Sequence, residues 1–224
     1  MDFDWIDICK NERLSEVFMR HFHRQIIWFL VCAYQKLSEN FIREFAHKVR
    51  WRMISQYQIL SEDFIREFAH MLNWACISKR QALSEEFIKE FAHNVDWYWI
   101  SMYQTLSVDF IREFSDLVYW RWISIYQIIS EDLIREFANK VDWFWISKRQ
   151  ILSEGGIREF DELVDWKIIG NYQSLSEEFI WEFRNRLIMC DNIRKCIMRG
   201  HIVMTLNHGF PEELSQKIIE FVSK

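Results

Sequence analysis

Apolar and polar positions recur along this chain at one fixed interval. Trp5, Trp28, Trp51, Trp74, Trp97, Trp120, Trp143 and Trp166 keep it, as do Ser15, Ser38, Ser61, Ser84, Ser107, Ser130, Ser153 and Ser176, with no insertion or deletion. In the copy at 83–105, Phe87, Ile88, Phe91, Ala92 and Val95 share one face of a helix at about 100° per residue, and Glu85, Lys89, Glu90 and His93 share the other. The pattern predicts a helix A over about 84–95. Ser84 stands at its N-cap, with Glu85 and Glu86 placed well against the helix dipole. Asp96, Asp142 and Asp165 stand where a second cap is needed, so a helix B is expected over about 97–104, with Trp97, Ile100 and Ser101 on one face.

Two such helices joined by turns of a few residues form an antiparallel hairpin. Neither would be stable alone, since isolated helices are marginal below ~12–15 residues. Stacking against neighbours must supply the stability, which is the logic of a solenoid. The expected fold is therefore all-α, an α-solenoid of tandem 23-residue helical hairpins with terminal caps. Residues 1–13 form a half-repeat cap, 14–187 the array, and 188–224 a divergent helical cap whose last helix is expected at about 211–222. A single Pro and five Gly leave no room for long flexible loops. Gly155 and Gly156 replace an acidic and a Phe position at the start of one helix A, which predicts a soft unit there. Glu44 and Lys48 are spaced as an i,i+4 ion pair.

Charge and cysteines narrow the class further. A formal charge of −5 argues against a phosphate-tracking surface, so nucleic acid is not an expected partner. The five Cys follow no disulfide framework, and Cys9 and Cys32 fall where other copies carry Ser, which suits a reducing, cytoplasmic compartment. The first residues carry no basic n-region and charges interrupt every unit, so neither a signal peptide nor a membrane span is expected.

The wording of the unit, Leu60-Ser61-Glu62-Asp63-Phe64-Ile65-Arg66-Glu67-Phe68 followed by Val95-Asp96-Trp97 and Ile100-Ser101-Met102-Tyr103-Gln104, resembles short tandem repeats of large and giant DNA viruses. The resemblance covers about 14–187 and implies a host-cell cytoplasmic or virion-associated protein, with little about activity. Phe210-Pro211-Glu212-Glu213-Leu214, with Ile218, Ile219 and Phe221, resembles the opening helix of an F-box or of the truncated motif that ends poxviral ankyrin-repeat proteins. That likeness implies recruitment of a host ubiquitin ligase through Pro211, Leu214 and Ile218. The competing reading is a Pro at the first position of an amphipathic capping helix.

No catalytic constellation is found. The chain has no phosphate-cradling Gly-rich loop, no nucleophile elbow and no His pair at i,i+4 with Glu between, so no enzyme, catalytic residue or cofactor is expected. Glu44, Glu67, Glu90, Glu113, Glu136, Glu159 and Glu182 read as solvated partners of Arg and Lys. His47, His70 and His93 form a ladder whose steps, at about 8–10 Å, are too long for one shared metal ion. Cys190, Cys196, His201 and His208 match no zinc spacing, and no metal is expected. Ser55, Ser78, Ser101, Ser124 and Ser147 read as small residues at a close helix approach. Gln58, Gln81, Gln104, Gln127, Gln150 and Gln173 read as a structural ladder.

Comparison between columns carries the functional reading. The residue after Trp (Arg52, Ala75, Tyr98, Arg121, Phe144, Lys167) and the residue after the helix-B Ser (Gln56, Lys79, Met102, Ile125, Lys148, Asn171) vary, and the two columns lie about 40° apart opposite the core arc. Trp99, Trp122 and Trp145 run beside them. Tyr98, Trp99, Met102, Arg121, Trp122, Ile125, Phe144, Trp145 and Lys148 thus compose a candidate surface for a protein partner. Whether the three Trp are surface or fill the groove between units is open at this point. A structural virion component and, because basic residues recur on helix B among aromatics, an RNA-binding repeat protein are the further alternatives.

Overall fold

The computed structural model describes residues 3–187, and within them the chain is helical throughout, with no strand. The helices are α1 (Trp5–Asn11), α2 (Glu16–His21), α3 (Trp28–Tyr34), α4 (Glu39–Glu44), α5 (Trp51–Tyr57), α6 (Glu62–Glu67), α7 (Trp74–Arg80), α8 (Glu85–Glu90), α9 (Trp97–Tyr103), α10 (Val108–Glu113), α11 (Trp120–Tyr126), α12 (Glu131–Glu136), α13 (Trp143–Arg149), α14 (Glu154–Glu159), α15 (Trp166–Tyr172), α16 (Glu177–Glu182) and α17 (Arg184–Leu187). Odd members up to α15 are helices B and even members helices A. The chain divides into two compact units on either side of Gln127. In the first, the helices B stack in sequence, α1 on α3, α5, α7, α9 and α11; in the second, α13 stacks on α15. This is the expected α-solenoid.

Local chemistry makes the elements. Ser84 Oγ accepts the N–H of Phe87 at 3.2 Å, and the Ser of every other copy does the same for the residue three places on. Asp96, Asp142 and Asp165 cap helix B as expected, and so do Asp4 and Asn73. Ile27, Arg50 and Tyr119 stand at the same place without a side-chain cap. Helix A is shorter than its apolar pattern suggests, ending at Glu90 instead of continuing to Val95. Its C-cap Phe91 has φ −108° and ψ 28°, and 91–95 follow as tight turns in which Asn94 N–H and Val95 N–H both reach Phe91 C=O. The turn lets Trp97 reach back, its indole N–H donating to Ala92 C=O at 3.0 Å, a bond repeated from Trp28 to Trp166.

The core is a ribbon. Trp97 packs on Phe110 and Phe114 of the next helix A, at ring separations of 6.2 and 5.0 Å. Phe87, Ile88 and Ile100 are fully buried and Val95 nearly so. Where Phe is missing, helix α14 still forms: Gly156 N–H meets the Ser153 cap, and the Glu131 carboxylate, which accepts Ser153 N–H, lies 2.7 Å from where a Cβ of residue 156 would stand.

Within each compact unit, three ladders of hydrogen bonds tie one repeat to the next. Gln104 is buried; its Oε1 accepts Leu83 N–H, and its Nε2 donates to Ser78 C=O at 3.0 Å and Gln81 C=O at 2.8 Å. The ladder is structural, as the sequence implied, but it reaches back to the preceding helix B instead of capping its own. Gln35 belongs to it as well. Ser101 Oγ donates to Trp97 C=O and accepts Tyr119 N–H from the next unit at 2.9 Å, so these buried serines relay between units as well as allowing close approach. Cys9 and Cys32 do the same work with sulfur, accepting Ile27 N–H and Arg50 N–H at 3.4 Å. Finally, the first-turn carboxylate of one helix A accepts the Ser N–H of the next, as Glu62 does from Ser84 at 2.6 Å.

Candidate functional site

The two layers carry opposite charge. Glu44 pairs with Arg20 of the preceding unit instead of Lys48, and the same step from one unit to the next joins Arg43 to Glu67, Arg66 to Glu90 and Lys89 to Glu113 in the first compact unit. In the second it joins Arg135 to Glu159 and Arg158 to Glu182. Arg112 pairs with Asp109 inside its own helix. Every helix-A cation thus has a carboxylate, and the helices A remain strongly acidic. On helices B the balance inverts: Lys10, Arg52, Lys79, Arg80 and Arg121 in the first unit, and Lys148, Arg149 and Lys167 in the second, outnumber Asp7 and the capping carboxylates Asp4, Asp96, Asp142 and Asp165. None of these eight cations forms an ion pair among the described residues.

Aromatic rings lie beside them. In the first unit Tyr98 meets Trp99 edge-on at 4.8 Å and Trp122 of the next helix B at 5.4 Å. Trp99 stacks on Tyr103, and Lys79 Nζ covers the Trp99 ring at 4.1 Å from its centroid. Trp122 leans on Tyr126. Met102 and Ile125 are half-buried and Arg121 is exposed. In the second unit Phe144, which is exposed, meets Trp145 edge-on at 5.1 Å, and Lys148 lies 5.4 Å from the Trp145 ring and 5.2 Å from Tyr172. Trp99, Trp122 and Trp145 are each half-buried. The structure brings Tyr98, Trp99 and Trp122 together in one patch and Phe144, Trp145 and Lys148 in another.

Two exposed columns escape the sequence reading. Tyr34, Tyr57, Tyr103, Tyr126 and Tyr172 end their helices B half-exposed, in a column that Arg80 and Arg149 share. Ile59, Ile128 and Ile151 follow the buried Gln and are 87, 94 and 95% exposed. Their column also holds Lys36, Ala82, Thr105 and Ser174, and that variability is the available signal of an outward position.

The groove at the end of α7 is lined by Lys79, Arg80, Gln81, Ala82, Leu83, Tyr103, Gln104 and Thr105 and encloses about 370 Å³. Its counterpart, lined by Lys10, Glu12, Arg13, Glu16, Tyr34 and Lys36 among others, encloses about 590 Å³. His47, His70 and His93 are exposed. Among the described residues no group of His, Cys, Asp and Glu is assembled to hold a metal, and no helix is long and apolar enough to cross a membrane. Cys190, Cys196, His201, His208, Pro211, Leu214 and Ile218, with the whole expected cap at 188–224, lie outside the described residues.

Fold and surface together define a tandem helical-hairpin repeat protein with an acidic, internally paired helix-A layer and a basic, aromatic helix-B layer. No protein-family model, curated protein or solved structure matches the chain.

Proposed function

We propose that the chain is a non-enzymatic scaffold that binds a protein partner through its helix-B face, using Tyr98, Trp99, Met102, Arg121, Trp122 and Ile125 in one compact unit and Phe144, Trp145 and Lys148 in the other. One observation carries the reading: helix-A cations are consumed by carboxylates of the chain itself, whereas helix-B cations are not, and Lys79 and Lys148 stand over aromatic rings. Trp, Tyr and Arg at a rigid surface are the residue types in which binding energy concentrates. The stiffness of the backbone beneath limits the ordering cost of association. The wording of the repeats supports a large DNA virus as the source, and buried Cys32, whose thiol burial pushes up, suits a reducing host cytoplasm. A second reading, recruitment of a ubiquitin ligase through Pro211, Leu214 and Ile218, is favoured by the F-box-like wording at 210–221. Deleting 209–224 separates it: an adaptor keeps its target and loses the ligase.

The test is affinity capture from nuclease-treated host lysate with three proteins: the intact chain, a Trp99→Ala/Trp122→Ala/Trp145→Ala variant, and an Arg121→Glu/Phe144→Glu variant altered only at exposed positions. Loss of the same partner in both variants, with native circular dichroism, is expected. Retention in the folded exposed-site variant moves the surface elsewhere.

A further inference from the structure

We infer that the partner's contacting segment is acidic and extended, and that one of its carboxylate side chains seats in the groove between Lys79, Arg80 and Tyr103. This deepens the protein-binding reading and rests on it. The groove takes its charge from Lys79 and Arg80, and Tyr103 and Thr105 add hydroxyl groups. Its two glutamines are already spent: Gln81 donates to Gln58 C=O and Gln104 to Ser78 C=O and Gln81 C=O, while their oxygens accept Leu60 N–H and Leu83 N–H. Lys79, held over Trp99 at 4.1 Å and 5.8 Å from the Tyr103 centroid, has its stem fixed by aromatic contact and its ammonium without a counter-ion. Arg80 is exposed beside it, and 370 Å³ accommodates a side chain.

Recurrence supports the assignment. Lys10 stands over Tyr34 in the other groove, three repeats earlier, where Arg13 and Lys36 line the space together with Glu12 and Glu16, and Lys148 with Arg149 stands beside Tyr172 in the second compact unit, three repeats later. The basic step therefore returns every third repeat, although the repeats between differ. At about 8–10 Å per stacked helix the two grooves of the first unit are roughly 24–30 Å apart. An extended chain, at about 3.3 Å per residue, spans that with carboxylates roughly seven to nine residues apart. Single-stranded nucleic acid fits less well. Its bases need free aromatic faces, and here Tyr103 and Lys79 take the Trp99 ring while Tyr98 sets its edges against Trp99 and Trp122. The acidic helix-A layer and the net charge of −5 also repel a polyanion more than an isolated carboxylate.

The experiment is fluorescence anisotropy on the full chain with three labelled probes: a Gly/Ser peptide carrying Glu pairs spaced about eight residues apart, matched to the groove spacing, the same peptide with Gln in their place, and an oligothymidylate of equal length. Proteins compared are the natural sequence, Lys79→Gln/Arg80→Gln, and Arg66→Gln as a control on the helix-A face, each verified folded by circular dichroism. The Glu peptide is expected to bind the natural sequence and Arg66→Gln alike, and about tenfold more weakly to Lys79→Gln/Arg80→Gln. The inference is overturned if the Gln peptide binds equally, if the double variant binds unchanged, if no Glu peptide binds, or if oligothymidylate binds more tightly. Should it fail while the Trp and exposed-site variants still lose their captured partner, the scaffold reading survives without an acidic segment; if both fail, neither stands.

Discussion

Helix A and helix B of one repeat meet the same solvent with similar side chains and treat charge in opposite ways. Arg66 on α6 lies 2.8 Å from Glu90 and 2.9 Å from Asp63, whereas Lys79 on α7 finds no carboxylate and rests on Trp99. Pairing along the helix-A layer leaves it with nothing to offer a cationic or anionic partner beyond its general acidity. On helix B the desolvation of a cation against a ring is already partly met, and its counter-ion is still to come. An acidic total can therefore conceal one closed layer and one receptive layer.

The comparison can be broken at its foundation first. If stacking is held by the buried glutamines, Gln104→Ala strands Leu83 N–H and two carbonyls, and at about 1–3 kcal/mol per buried orphan the loss should reach at least ~3 kcal/mol in urea unfolding. A loss below about 1 kcal/mol, roughly that of a surface pair, would place the cohesion elsewhere.

Next comes the flawed copy. Gly156→Phe restores the ring that Phe87 and Phe110 supply elsewhere and should displace the Glu131 carboxylate outward. Burial and lost backbone freedom together predict a gain of about 2 kcal/mol. A decrease would mean that Glu131 cannot leave.

Smaller effects separate the helix-A contacts themselves. Glu62→Ala removes the acceptor of Ser84 N–H and should cost about 1 kcal/mol. Acid should remove such bonds together: the Ser176 N–H holds the Glu154 carboxyl below its ordinary 4.5, and Arg135 does the same for Glu159. Because these folded pKa values lie below the unfolded ones, the stabilisation is complete above about pH 4.5 and is lost as pH falls through the folded values. The urea midpoint should accordingly drop on acidification, and Glu154→Gln should flatten that limb. Smallest of all, Arg66→Ala should leave the urea midpoint almost where it was, since both partners are exposed and solvent screens the pair.

What can be read in the sequence is whatever acts over one turn or one period. Ser84 and Asp96 announce their caps because the bond they accept is two or three residues away. Phe87, Ile88 and Val95 announce the core through helical spacing alone. The C-terminal part of helix A misleads because Val95 is as buried after a tight turn as it would be in a helix, so periodicity does not distinguish the two. Bonds between units are legible as roles and not as directions: nothing local says that Gln104 turns back to Gln81, or that Ser101 waits for the N–H of Tyr119 in the following unit. At the candidate surface the helix to which Lys79, Arg121, Glu62 and Glu90 belong is legible, but that the helix-A cations pair with carboxylates of the next repeat is decided by stacking. Trp99 stands open between surface and groove in the sequence, and in the structure it is half-buried.

The glutamine and serine bonds have a consequence for how such a chain can change in length. Each copy presents to its successor the same sockets that its predecessor presents to it: a backbone N–H seeking a Gln oxygen, a Ser hydroxyl seeking the next N–H. A duplicated block of one whole repeat would arrive with every plug and socket already matched, whereas inserting a residue or two would put all of them out of register at once. Length is thus a freely inherited variable in whole blocks, and the positions that contribute to no socket, such as those of Arg121 and Ile128, are free to diverge as soon as the copy is made.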